Sequence, residues 1–210
     1  LENKEESAAD QFTGLWPRIK EYVEHYMYRD TPSGVHKASV EEILTATGYR
    51  LDFTNLIPEM GMVFHNMSRY REGVAFCREA LELFRWDGRT ADELKAEVGE
   101  MLAEMGEVGE SDAWFEEWLK SDPGNGSCAN AYAFCHQSRG DLERARRIIE
   151  TAEPARSTDE PAYENYCLRA ESVYRECGET ELADRYKAEL EEIQARRKKE
   201  IPWWEEKTKP

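Results

Sequence analysis

The stretches Ser68-Arg-Tyr-Arg-Glu-Gly73, Gly106-Glu-Val-Gly-Glu-Ser111, Gly140-Asp-Leu-Glu-Arg-Ala145 and Gly178-Glu-Thr-Glu-Leu-Ala183 share one pattern: a turn residue, a polar run, then a small residue. They begin at positions 68, 106, 140 and 178, so the spacings are 38, 34 and 38. Internal periods of roughly 20–50 residues mark solenoids, propellers or arrays. No segment shows sustained period-two alternation between turn signals, so no strands are expected. The pattern therefore predicts an all-α helical-repeat array.

Composition agrees with an open array. The chain has 210 residues, 40% hydrophobic and 34% charged, which is slightly apolar-poor and charge-rich for a globular domain. The formal charge of −16 opposes general affinity for nucleic acid, which needs clustered Lys and Arg, and equally opposes anionic membranes. No apolar run approaches the length of about 20 residues that spans a bilayer. No secretory signal is visible, and Leu1 in place of an initiator Met leaves room for an upstream segment. The five cysteines (Cys77, Cys128, Cys135, Cys167, Cys177) form no C-x-x-C pair. They are expected to be buried thiols in a reducing, cytoplasmic setting. Sequons at Asn66 and Asn125 fall on positions that the repeat explains.

Along the chain, Leu1 to Ala9 are polar and expected to fray. Pro17 suits a first helical turn, after which Ile19, Tyr22, Val23 and Tyr26 recur at helical spacing. Thr31-Pro32-Ser33-Gly34 breaks the pattern, Ser39-x-x-Glu42 is a capping box, and Gly48 is a stop. Helix pairs follow from Asp52 onward, with further capping boxes at Thr90-x-x-Glu93 and Ser157-x-x-Glu160 and a break at Asp122-Pro123-Gly124-Asn125-Gly126. The last helix runs long and ends at Pro202. This divides the chain into an N-terminal helical extension (1–51), a repeat domain (52–192) and a C-terminal helix end with a tail (193–210).

The repeats resemble the tetratricopeptide repeat (TPR) family over about residues 53–192, roughly two thirds of the chain. The first unit reads Met60-Gly61-x-x-Phe64, Tyr70, Gly73, Cys77, Ala80-Leu81. The second reads Val98-Gly99-x-x-Leu102, Gly106, Ser111, Phe115, Trp118-Leu119, Pro123, with the family's typical Asp-Pro-x-Asn at Asp122–Asn125. The third reads Tyr132-Ala133-x-x-His136, Gly140, Leu142, Ala145, Ile149, Ala152; the fourth Ala170, Tyr174, Gly178, Ala183, Leu190. Gly61, Gly99, Ala133, Gly73, Ser111, Ala145 and Ala183 would let paired helices approach closely. Glu171 and Lys187 depart from the pattern, as degenerate terminal units do.

No catalytic constellation emerges: there is no H-E-x-x-H, phosphate loop or G-x-S-x-G. The histidines are scattered, and Cys135 and His136 are sequence neighbours that point different ways on a helix. His136 stands where the resemblance puts an interior aromatic, so it is expected to be packed and hydrogen-bonded. No catalytic residue, metal or cofactor is expected, and the chain is read as not an enzyme.

In the TPR family the first helix of each pair lines a concave groove of a right-handed superhelix. The resemblance therefore implies a peptide-binding face built from Met62, His65 and Asn66, then Glu97 and Glu100, then Asn130, Phe134 and Gln137, then Arg169 and Ser172. Asn55, Glu59, Glu93, Glu104, Ser127, Asn165 and Arg175 fall on the same helices. Glu93, Glu97, Glu100 and Glu104 lie three or four apart, so they share one helix face. That stripe favours a basic or amphipathic protein segment, although a solvated face has the same pattern. The family's carboxylate clamp of Lys, Asn and Arg is not matched, because its positions hold Pro58, Met62, Glu97, Ser127 and Ala131. The tail Ile201-Pro-Trp203-Trp204-Glu-Glu suits either a cap on the last helix pair or a docking motif. The functional expectation is a protein- or peptide-binding adaptor. The alternative is the ligand- or peptide-sensing regulatory half of a transcription regulator, against which stands the lack of a basic recognition helix in residues 1–50.

Overall fold

The computed structural model describes residues 2–32, 34–50, 52–86, 90–152 and 160–200. In chain order these form α1 (Glu2–Tyr26), β1 (Arg29–Thr31), β2 (Gly34–His36), α2 (Val40–Ala46), α3 (Phe53–Asn66), α4 (Tyr70–Leu83), α5 (Thr90–Glu104), α6 (Val108–Ser121), α7 (Gly126–Gln137), α8 (Leu142–Thr151), α9 (Glu160–Glu176) and α10 (Thr180–Glu200). The fold is an all-α helical repeat, with one small antiparallel hairpin. The chain divides into two compact units, residues 1–114 and 115–210.

The four repeated signatures are four copies of one turn. Ser68, Gly106, Gly140 and Gly178 have φ of 55°, 79°, 77° and 79°. Each donates its N–H to the carbonyl three residues back, and the next residue donates to the carbonyl five back. Arg69 reaches Phe64, Glu107 reaches Leu102, Asp141 reaches His136 and Glu179 reaches Tyr174, at 2.8–3.0 Å. These bonds satisfy carbonyls that a helix end leaves open, and the left-handed residue lets the chain double back at once. Glycine makes that conformation cheap at three of the turns; Ser68 accepts the strain. Gly48 ends α2 with the same bonding, and the expected capping box opens it: Glu42 N–H reaches Ser39 Oγ at 3.1 Å, and Ser39 N–H reaches Glu42 Oε2 at 3.0 Å.

The small residues sit where helices cross. A Cβ on Gly73 would lie 2.9 Å from the Phe64 Cβ and collide with the Met101 thioether; one on Gly61 would lie 3.1 Å from Cys77 Sγ. Ser111 is fully buried and donates to the Gly99 carbonyl at 2.8 Å, so its hydroxyl ties α6 to α5 as well as being small. In residues 1–114, α3, α4 and α5 pack around Ile57, Phe64, Leu94, Val98, Met101 and Leu102. In residues 115–210, α7 to α10 pack around Phe115, Ile149, Val173, Ile193 and a tyrosine cluster. There Tyr166 donates to the Ile149 carbonyl at 2.9 Å, and Tyr174 stacks on Tyr186 at 5.8 Å.

The N-terminal region differs from the sequence expectations in three ways. Helix α1 starts at Glu2, not after Ala9. Pro17 lies inside it, not in its first turn, although an interior proline costs about 3 kcal/mol. The proline faces solvent, while Ala9, Phe12, Trp16 and Val23 are buried on the other side and hold the helix through it. Those contacts also join the extension to the first unit: Phe12 and Trp16 meet Phe76 of α4 edge-on, with centroids 5.3 and 4.8 Å away. The third difference is the hairpin. Arg29 pairs with His36, Asp30 with Val35 and Thr31 with Gly34, so the break at Thr31–Gly34 is a turn between two three-residue strands. Neither strand has a buried face, so no alternation could announce it. The Thr90 side chain, the Ser157 box and the Trp203–Trp204 tail lie outside the described residues.

Two substitutions test the turn and the crossing. Ser68→Gly should raise the unfolding free energy by about 1 kcal/mol by relieving the left-handed strain. Gly73→Ala should lower it by roughly 1–3 kcal/mol, because the Phe64 Cβ is rigid and cannot yield as a side-chain tip would. Urea unfolding of the whole chain measures both.

Candidate functional site

The residues assigned to the binding face lie on α3 and α5 in the first unit and on α7 and α9 in the second. Helix α3 packs on α5, and α7 packs on α9, so first helices neighbour first helices within each unit. Each unit thus carries one such face, and the two differ in chemistry.

On the α3–α5 face, Met62 is 49% exposed and Asn66 is exposed, one turn apart. Half-buried His65 bridges to α5: its Nδ1 lies 2.6 Å from Glu97 Oε2. The ring also meets Tyr70 edge-on at 5.7 Å. The hydrogen bond that His65 donates to Glu97 raises the His65 pKa above its ordinary 6.5, burial opposes it, and the charges of Glu97, Glu100 and Glu104 add to it. Glu97 is thus committed to a neighbour in the same face. Below it, burial and then the Glu97 charge push the Cys77 thiol far above its normal range. Cys77, Cys128, Cys135 and Cys167 are buried free thiols, and Cys177 is partly buried.

On the α7–α9 face, Phe134 is 37% exposed, and the Arg169 guanidinium lies 4.6 Å from its ring centroid. Two acceptors of α7 hold that guanidinium: Asn130 Oδ1 takes Arg169 Nε–H at 3.2 Å, and Gln137 Oε1 takes Nη1–H at 2.8 Å. Gln137 is buried, and its amide nitrogen donates to Ser172 Oγ at 2.7 Å and to Glu176 Oε1. Asn130, Phe134, Gln137, Arg169 and Ser172 therefore form one connected cluster. Within it Asn130 and Gln137 orient Arg169, whereas the sequence reading placed them on the face that meets a peptide. Glu176 was missed. Its signal was its place one turn after Ser172 on α9, where it meets the second amide proton of Gln137. Leu168, 50% exposed beside Arg169, was also missed. Arg175 is held by Glu171 at 2.6 Å and by Asp184 at 3.2 Å.

His136 is buried and packs edge-on against Tyr132 at 5.2 Å, with Nδ1 3.4 Å from Asp141 Oδ2. Glu171 and Lys187, the two departures from the repeat pattern, are partly buried and exposed respectively. Among the described residues no group of three or more His, Cys, Asp or Glu is placed to hold a metal ion, and no helix is long and apolar enough to cross a membrane. A cavity of about 500 Å³ lies between the end of α1, the hairpin and α2. There Arg85 links His36, at 3.1 Å, to Glu42, at 3.3 Å.

No family model matches the chain, and no curated protein matches it. Among solved structures, the crystal structure of BtubC (BKLC) from P. vanneervenii is similar, with 14% identity and a TM-score of 0.48 over 75% of this chain and 71% of that chain.

The His65–Glu97 pair predicts a pH signature. The fold raises the His65 pKa, so its contribution is complete below the unfolded value of 6.5 and is lost as pH rises through the folded value. Glu97→Gln should return the His65 titration, followed by its ring proton resonance, toward 6.5 or below. The stability gap between wild type and variant should shrink as pH rises from below 6.5 through the raised folded value.

Proposed function

We propose that this chain is a TPR-type array acting as a non-catalytic, cytoplasmic scaffold that binds protein segments on the exposed faces of its first helices. The observation that carries this is the Phe134–Arg169 platform. An exposed aromatic is held in one place by a guanidinium, which two buried or half-buried amides fix in turn. Rigid aromatic and Arg anchors over a desolvated base are what interface hot spots are built from. Leaving Phe134 exposed costs stability that a purely structural face would recover by burial. The four-turn periodicity, the close helix crossings at Gly61 and Gly73, and the packing of α3 on α5 and α7 on α9 support the TPR reading.

The α3–α5 face adds the charge preference. Glu97 and Glu100 are half-buried, Glu104 is exposed, and Met62 offers an apolar contact among them. This favours a segment with Lys or Arg and an apolar side chain, and the chain's charge of −16 accelerates its arrival.

Selection of a random peptide display library on the whole chain tests this. Recovered peptides should be net basic with an apolar or aromatic anchor. Phe134→Ala should weaken the peptides that compete at the α7–α9 face at least about tenfold, or ~1.4 kcal/mol. Recovery of no peptides, of acidic peptides, or of peptides indifferent to both Phe134→Ala and Glu100→Gln overturns the reading.

A further inference from the structure

The cavity of about 500 Å³ at the end of α1 lies outside both faces, and its walls carry a cation and an anion that do not meet. We infer that it binds a small zwitterion, a ligand with one ammonium and one carboxylate, of the class formed by free amino acids and dipeptides.

Three elements build the walls. Tyr26 and Met27 come from the end of α1, Arg29 and His36 from the hairpin, and Glu41, Glu42 and Thr45 from α2. The hairpin register sets Arg29 opposite His36, so their side chains share one face of the ribbon, and Asp30 alternates to the other. Glu41 and Thr45 are four apart on α2, so they too share a face.

Part of the charge on these walls is already used. Arg85 donates to His36 Nε2 at 3.1 Å and to Glu42 Oε1 at 3.3 Å. Glu42 Oε2 accepts the Ser39 N–H at 3.0 Å in the capping box, so this carboxylate is committed to the fold. Arg29 and Glu41 remain. Among the described residues neither side chain forms a hydrogen bond or an ion pair, with the other or with any third group. Both are exposed, so a ligand reaches them from solution.

Charge selects the class of ligand. A simple anion would gain Arg29 but face Glu41, and a simple cation the reverse; like-charge contacts of that kind reject a ligand. An apolar ligand would leave both charges unmatched. A zwitterion satisfies both, because a guanidinium takes a carboxylate through paired N–H···O bonds and a carboxylate accepts from an ammonium. Thr45 adds a hydroxyl on the Glu41 side, and half-buried Met27 with buried Ala38 offers apolar contact to a side chain. The volume of about 500 Å³ lies within the range of about 300–1,000 Å³ typical of small-molecule sites.

The experiment follows the backbone amide resonances of Glu41, Thr45 and Ala46 in the whole chain during titration with leucine and with leucyl-leucine. At least one of the two should shift them saturably, and whichever binds more tightly identifies free amino acids or dipeptides as the source. Leucinamide lacks the carboxylate and N-acetylleucine lacks the ammonium; the same blocks are made on the dipeptide. Each blocked form should bind at least about tenfold more weakly than its parent. Arg29→Gln should weaken the parent ligand at least about fivefold without weakening the amide, and Glu41→Gln should weaken it without weakening the acetylated form. No saturable shift with either parent, equal binding of parent and blocked forms, or affinity unchanged in both Gln variants overturns the assignment. Both side chains are exposed and unpaired among the described residues, so the variants should unfold at the wild-type urea concentration. The blocked ligands decide the matter on the wild-type chain alone.

Discussion

Everything in this fold depends on helices reversing direction within three or four residues. The left-handed residue at Ser68, Gly106, Gly140 and Gly178 makes that possible, because its N–H and that of its successor return to the carbonyls of the helix just completed. A looser connection would let the second helix of each pair drift, and the small residue five positions on would miss its crossing point. At Gly73 there is no room for even a methyl group against the Phe64 Cβ. The turn and the small residue are therefore one constraint expressed twice: the first sets direction, the second sets distance.

That coupling explains why the repeats could be read from sequence. Glycine at positive φ and a small residue at a helix crossing are each demanded by sterics that few other residues satisfy. The Ser39–Glu42 box was legible for a similar reason, since reciprocal capping needs those residue types at that spacing. The hairpin at Arg29–His36 was not legible, because its strands have no buried side and so leave no periodic trace. Pro17 misled for the opposite reason. Its local cost is real, but Phe12, Trp16 and Val23 are anchored on either side of it, and tertiary burial outweighs local propensity.

The candidate face was legible only as far as helix assignment carried it. Knowing which helices line a face places Asn130, Gln137, Arg169 and Ser172 together, but not which of them satisfies which. An amide carries donors on one side and an acceptor on the other, so a buried Gln137 must find both. It takes Arg169 on its oxygen and Ser172 with Glu176 on its nitrogen, and Glu176 enters only because that balance requires it. Likewise, Glu97 and His65 sit 32 positions apart in sequence, a pairing that no local pattern exposes.

The two faces differ in chemistry in a way that follows from these pairings. On the α7–α9 face the polar groups are spent internally, on one another and on Arg169, so what meets solvent is an aromatic edge, a guanidinium and exposed Leu168. On the α3–α5 face the reverse holds: His65 holds Glu97 in place while the acidic stripe around it continues through Glu100 and Glu104. Fixed carboxylates contribute little net affinity, because their desolvation offsets their attraction, but they reject a like charge strongly.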